Sequence, residues 1–134
     1  MRAAVFPDSE AVAVSWLRAQ PELAGVKVTT DLVGWLAGQQ RVVITRIGGV
    51  PSLAIRIDNP RLDVDVYAED KARAHDLAQL ARAALHELPE GDHTALGAVV
   101  AHVNDDTGLQ WLPDISTSAA RYTFAVRLAV RPYP

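Results

Sequence analysis

The stretch RLDVDVYAEDKARAHDLAQLARAALHEL, residues 61–88, decides the fold. Over its first eight residues Leu62, Val64 and Val66 alternate with Arg61, Asp63, Asp65 and Tyr67. Successive strand side chains point to opposite faces, so the pattern predicts a half-buried strand with a charged outer face. From about residue 70 the period changes. Leu77, Leu80, Ala81, Ala84, Leu85 and Leu88 recur at spacings of three and one, which makes one apolar face of a helix. Pro89 and Gly91 then end that helix.

The same reading extends outward. Residues 8–19, DSEAVAVSWLRA, predict a helix capped by Asp8 or Ser9, with Ala13, Trp16 and Leu17 on its apolar stripe. VKVTT (26–30) predicts a short strand, and DLVGWLAGQQ (31–40) a connection. RVVITRI (41–47) is a β-branched strand, broken by GGVPS and followed by a further expected strand, LAIRI (53–57). After the helix come a strand in ALGAVVAHV (95–103), a turn at NDDTG (104–108), a short LQWL strand, and a loop from Pro113 to about Ser118. RYTFAVRLAV (121–130) alternates most cleanly of all. This order predicts an α+β fold, a mainly antiparallel sheet with two helices packed on one face.

The 134 residues suit one domain, 1–134, and 49% of them are apolar, an ordinary globular proportion. No uninterrupted apolar run approaches the roughly 18 residues of a membrane span, and Pro7, Asp8 and Glu10 break any signal-peptide core in MRAAVFPDSEAVAV. A cytosol-like site of synthesis and no membrane contact are expected. The absence of cysteine excludes disulfides, thiolate metal sites and cysteine nucleophiles. With a net charge of −3 and no basic block, sequence-nonspecific DNA binding is not expected.

No catalytic or metal-binding constellation emerges. His75 and His86 stand eleven residues apart on the predicted helix, roughly 16 Å along its axis, too far to share a metal. Asp63 and Asp65 share a strand face with carboxylates about 6 to 7 Å apart, which could hold a cation or flank a hydrolysed bond. No partner histidine or second acidic cluster accompanies them, so a polar strand face is the simpler reading. Asp105 and Asp106 read as turn residues. IGGVPS lacks the spacing and lysine of a phosphate loop. Catalytic, cofactor and metal residues are therefore all expected to be none. Arginines recur on outer strand faces (Arg41, Arg46, Arg56, Arg61, Arg121, Arg127 and Arg131), with acids on neighbouring segments. Trp35 lies in a loop between glycines. Arginine with scattered Trp and Tyr is the composition enriched at protein interfaces.

VTTDL, RVVITRIGGVP, PRLDVDVYAEDKARAHDLAQLARAAL and RYTFAVRLAVRP, taken in order, resemble the tail terminator (tail completion) proteins of long-tailed bacteriophages. The resemblance covers about residues 26–132 and lies in the ordered set rather than in any one motif. It implies a non-enzymatic structural subunit with no cofactor that forms a ring, typically a hexamer, at the head-proximal end of the tail tube. Such a ring ends tube polymerisation and offers a docking surface to head-completion or neck proteins. Its implied partners are itself, the tail tube protein and the neck protein, with genome DNA passing through unbound. Its implied location is the virion, after assembly in the host cytoplasm. On this reading Arg46, Asp63, Asp65, Arg121 and Arg127 are candidates for the subunit joint, Asp63 and Asp65 being expected to face Arg46 or Arg127. Trp35, Gly48 and Gly49, in loops 31–40 and 48–52, are candidates for touching tube or neck. The alternatives are a head-closure or head–tail connector protein and, further off, a small cytosolic enzyme or ligand-binding domain.

Overall fold

The computed structural model describes residues 5–134. The start of the N-terminal segment read above as lacking a signal-peptide core lies outside them. Five strands, β1 (Lys27–Thr29), β2 (Arg41–Arg46), β3 (Arg61–Ala68), β4 (Ala98–Trp111) and β5 (Ala120–Pro132), form one sheet in the order β1-β2-β3-β5-β4. Only β1 and β2 run parallel; the other pairs are antiparallel. The two helices, α1 (Ser9–Arg18) and α2 (Lys71–His86), cover one face. The fold is the α+β arrangement that the sequence predicts.

The core follows from the alternation. Leu62, Val64 and Val66 of β3, Val42 and Ile44 of β2, and Phe124, Val126, Leu128 and Val130 of β5 are all buried beneath the helices. Leu77, Ala81 and Leu85 of α2 meet them, as do Val12, Ala13 and Leu17 of α1. Both helices start at an aspartate. Asp8 Oδ1 accepts from the Ala11 N–H (3.1 Å) and Asp70 Oδ1 from the Arg73 N–H (2.8 Å), which satisfies donors that no helical carbonyl can reach. The helices are stapled together where Trp16 Nε1 donates to the Ala84 carbonyl at 2.7 Å. His93 is buried beside them, its ring edge-on to Trp16 and its Nε2 2.6 Å from the Leu88 carbonyl oxygen.

Two expectations are corrected. LAIRI is not a strand: Leu53–Ile55 form a 3-10 turn, Arg56 adopts a left-handed φ of 55°, and the segment belongs to the loop joining β2 to β3. Since β3 already pairs along all of β2, residues 47–60 must reverse direction beyond the ends of those two strands, beside the continuing β5, to which Asp58 bridges at Val130. The alternation of Leu53 and Ile55 finds no second layer to enter, and both stay exposed. The NDDTG turn is also absent. Residues 98–111 form one strand whose register slips between Val100 and His102, between Asp105 and Thr107, and between Thr107 and Gln110. Such bulges let turn-like residues remain within a ladder. The reversal comes later, at residues 112–119, where the Asp114 carboxylate accepts from Ser116 and Thr117.

Candidate functional site

The face of the sheet away from the helices carries the charged side chains. Register sets them in rows: Arg41, Tyr67 and Arg121; Val43, Asp65 and Thr123; Thr45, Asp63 and Ala125; Arg61 and Arg127. The expected pairing of Asp63 and Asp65 with Arg46 or Arg127 does not occur within the subunit. Asp63 lies 3.3 Å from Arg61 on its own strand, and Arg127 lies 3.5 Å from Asp106. Asp65 takes part in no ion pair among the described residues. The physical reason is a competing acid on β4: Asp105 and Asp106, adjacent on the strand, face opposite sides of the sheet, and Asp106 takes Arg61 and Arg127. Arg61 Nε donates to Asp106 at 2.5 Å, which raises the Arg61 pKa and holds the Asp106 carboxyl below its usual range. On the helix side Arg82 donates to Asp105 and lowers its pKa, with His86 Nε2 2.8 Å from the same carboxylate.

Arg46 is not an outer-face residue either. It ends β2 on the helix side, in the alternation of Val42 and Ile44, and its guanidinium holds the 47–60 loop. Nη1 and Nη2 donate to the two oxygens of Asp58 at 2.6 and 2.9 Å, while Nε and Nη2 donate to the carbonyls of Gly48 and Gly49. Asp58 is almost wholly buried, and its backbone bridges to Val130 of β5. Gly49 closes the loop's neck. Its φ is +94°, and a Cβ there would stand 2.1 Å from the Asn59 carbonyl oxygen. Arg121 is likewise used internally: it lies over the Tyr67 ring at 5.9 Å and donates to the Leu112 carbonyl at 2.8 Å. Burial raises the pKa of the Tyr67 phenol.

Trp35 does not project freely from its loop. It lies against the Tyr67 ring (centroids 4.9 Å apart) and donates to the Gln39 carbonyl. With Leu32 it covers Val43, Tyr67 and Ala119, a small second core on the outer face. Buried Arg41 fixes the same loop by donating to the carbonyls of Asp31 and Val33. What this loop offers to the outside is Val33, 80% exposed, and Leu36.

Those two belong to one of two apolar poles that residue-by-residue reading missed. At the end of the sheet where β2 and β5 begin, Val33 and Leu36 are joined by Trp111, Leu112 and Ile115, the last 97% exposed. At the opposite end Ile47, Val50, Leu53 and Ile55 stand exposed on the 47–60 loop, with Leu96 and Tyr133 beside the start of β4. About 25 Å of strand separates the poles. Four large apolar residues within GGVPSLAI and its flank, in a segment that is a loop, are the sequence signal of this second pole.

The lateral edges are blunted. Arg18 Nε of α1 donates to the Val28 carbonyl of β1 at 2.9 Å, and β4 is bulged at three points and bears His102, Asn104, Asp105 and Asp106. Bulges and charges are the devices that keep an edge strand from recruiting another strand. Comparison of the chain with known protein families and with curated proteins found no match.

Proposed function

We propose that the chain is a structural subunit of a ring that caps the head-proximal end of a bacteriophage tail tube. The ring ends tube growth and gives the neck proteins a surface to dock on. The resemblance along residues 26–132 suggests this class, and the observation that carries the reading is the pair of apolar poles. Contiguous exposed apolar surface marks contact sites on soluble proteins. A cap seated between two other structures needs two such surfaces on opposite sides, one for the tube and one for the neck. The blunted edges suit the same role, since a terminator must not template further strands.

The test uses tube protein polymerising in solution. Substoichiometric wild-type protein is expected to shorten the tubes. Two folded variants, Val33→Ser/Leu36→Ser/Ile115→Ser and Val50→Ser/Leu53→Ser/Ile55→Ser, separate the poles: one is expected to lose the arrest and the other to keep it. Equal arrest by both variants, or none by the wild type, would overturn the reading.

A further inference from the structure

Two arginines at the 47–60 pole have no counterion among the described residues. Arg56 and Arg131 line one groove of about 280 Å³ with Ile55, Pro132 and Pro134. Both are exposed, and neither takes part in an ion pair. The loop's one acid, Asp58, is buried and already held by Arg46. The other arginines of the sheet are occupied. Arg46, Arg61 and Arg127 each face an aspartate, while Arg41 and Arg121 donate to backbone carbonyls.

The groove is built in advance. The Asp58 N–H donates to the Val130 carbonyl at 2.7 Å and the Val130 N–H to the Asp58 carbonyl at 2.8 Å, which moors the loop to β5 next to Arg131. Ser52 and Ile57 bridge across the loop's tip, and the Tyr133 N–H donates to the Gly97 carbonyl at 2.8 Å, which holds the other wall. Arg56 itself sits at a left-handed φ of 55°. Glycine meets such a corner with less strain, and no ion pair within the subunit offsets the cost of an arginine there. An outlier of this kind points to use of the side chain outside the subunit.

The chemistry of the groove selects its occupant. A guanidinium fork matches the two oxygens of a carboxylate, and apolar walls thin the water that would screen the pair. The volume is below the roughly 300–1,000 Å³ of a small-ligand site and admits one or two side chains. Leu53 and Tyr133 stand exposed on the same pole, so apolar residues suit the positions flanking the acids. Nucleic acid fits poorly, because two cations release few counterions and the apolar surroundings offer phosphates no further donors. We propose that the groove receives an acidic segment of a partner protein, its carboxylates on Arg56 and Arg131 and its apolar neighbours on Leu53, Ile55 and Tyr133. That this partner is the tube or neck protein rests on the cap reading; the acidity of its docking segment rests on the groove.

Fluorescence anisotropy on the purified full chain at low ionic strength tests it, the probe being a labelled peptide in which glutamates alternate with leucines. The wild type is expected to bind this probe. Arg56→Gln/Arg131→Gln, shown folded by circular dichroism, is expected to bind at least about tenfold more weakly, through loss of the charge-assisted contacts. The same loss is expected for the wild type when glutamines replace the glutamates of the probe. Val33→Ser/Leu36→Ser, at the opposite pole, is expected to bind as the wild type does. A wild type that ignores the acidic probe, a glutamine probe that binds equally, or an arginine variant that binds unchanged would overturn the proposal. Tighter binding of oligothymidylate than of the acidic peptide would overturn it too, in favour of a phosphate site. An arginine variant that loses the peptide yet arrests tubes and joins heads normally would keep the groove's chemistry and remove it from the cap. Tube arrest by a wild type that binds no acidic probe would keep the cap and remove the groove.

Discussion

Replacing Arg46 by alanine is expected to cost more stability than any other single change to an arginine here. Asp58, whose side chain is 2% exposed, would remain as a carboxylate facing no cation, and the Gly48 and Gly49 carbonyls would lose their donor. Removing one partner of a buried ion pair costs about 3–5 kcal/mol. The Arg46 side chain is itself 32% exposed, so water screens part of the interaction and enters part of the vacated space. About 2–4 kcal/mol is therefore expected. With an unfolding entropy of about 2.1 cal/mol/K per residue, 134 residues give about 0.28 kcal/mol/K, so the melting temperature should fall by roughly 7–14 °C. Urea unfolding followed by far-UV circular dichroism, with calorimetry, measures both. The partner control is Arg46→Met/Asp58→Leu, which removes both charges together and should lose less than Arg46→Ala alone. A loss below about 0.5 kcal/mol for Arg46→Ala, the range of an ordinary surface change, would refute the assignment of Arg46 as the clamp of the 47–60 loop.

Two further outcomes follow from the loop neck and the bulged strand. Gly49→Ala must relieve both the positive φ and the 2.1 Å approach to Asn59, and should destabilise by about 1–3 kcal/mol in thermal unfolding, whereas Gly108→Ala, with open space around its Cβ, should stay within about 0.5 kcal/mol. Asp105→Asn should destabilise by at most about 1 kcal/mol at pH 7, because the Arg82 and His86 contacts are partly solvated. The folded-state pKa of Asp105 lies below its unfolded value of about 3.9, so its contribution is complete above that value and is lost as pH falls through the lower folded one. Wild type and Asp105→Asn should accordingly converge in urea midpoint as pH is lowered below about 3.9.

The elements with a sustained period were legible in the sequence. β3 and β5 alternate for eight residues or more, α2 keeps its apolar stripe through four turns, and Asp8 marks the start of α1. The misreadings share one cause: local composition was overruled by pairing partners far away in the chain. NDDTG has turn chemistry, yet Arg82 on α2 and Arg61 and Arg127 on the sheet hold its two aspartates on opposite faces of a strand. LAIRI alternates, yet it lies past the ends of β2 and β3, where no layer covers Leu53 and Ile55. The charges misled in the same way. Arg46 shares the parity of Val42 and Ile44, which puts it on the helix side of β2, but its bond to Asp58, twelve residues on in the 47–60 loop, cannot be inferred from that parity. Trp35 looked exposed because Tyr67, its partner, stands 32 residues away.

The central claim is that this subunit stops a growing tube, and tail length tests it most directly. The gene is removed from the phage genome that carries it, and the resulting particles are measured by negative-stain electron microscopy. The account predicts tails of uncontrolled length that lack heads, with restoration of length and joining when the protein is supplied. Tails of normal length on infectious particles would contradict it.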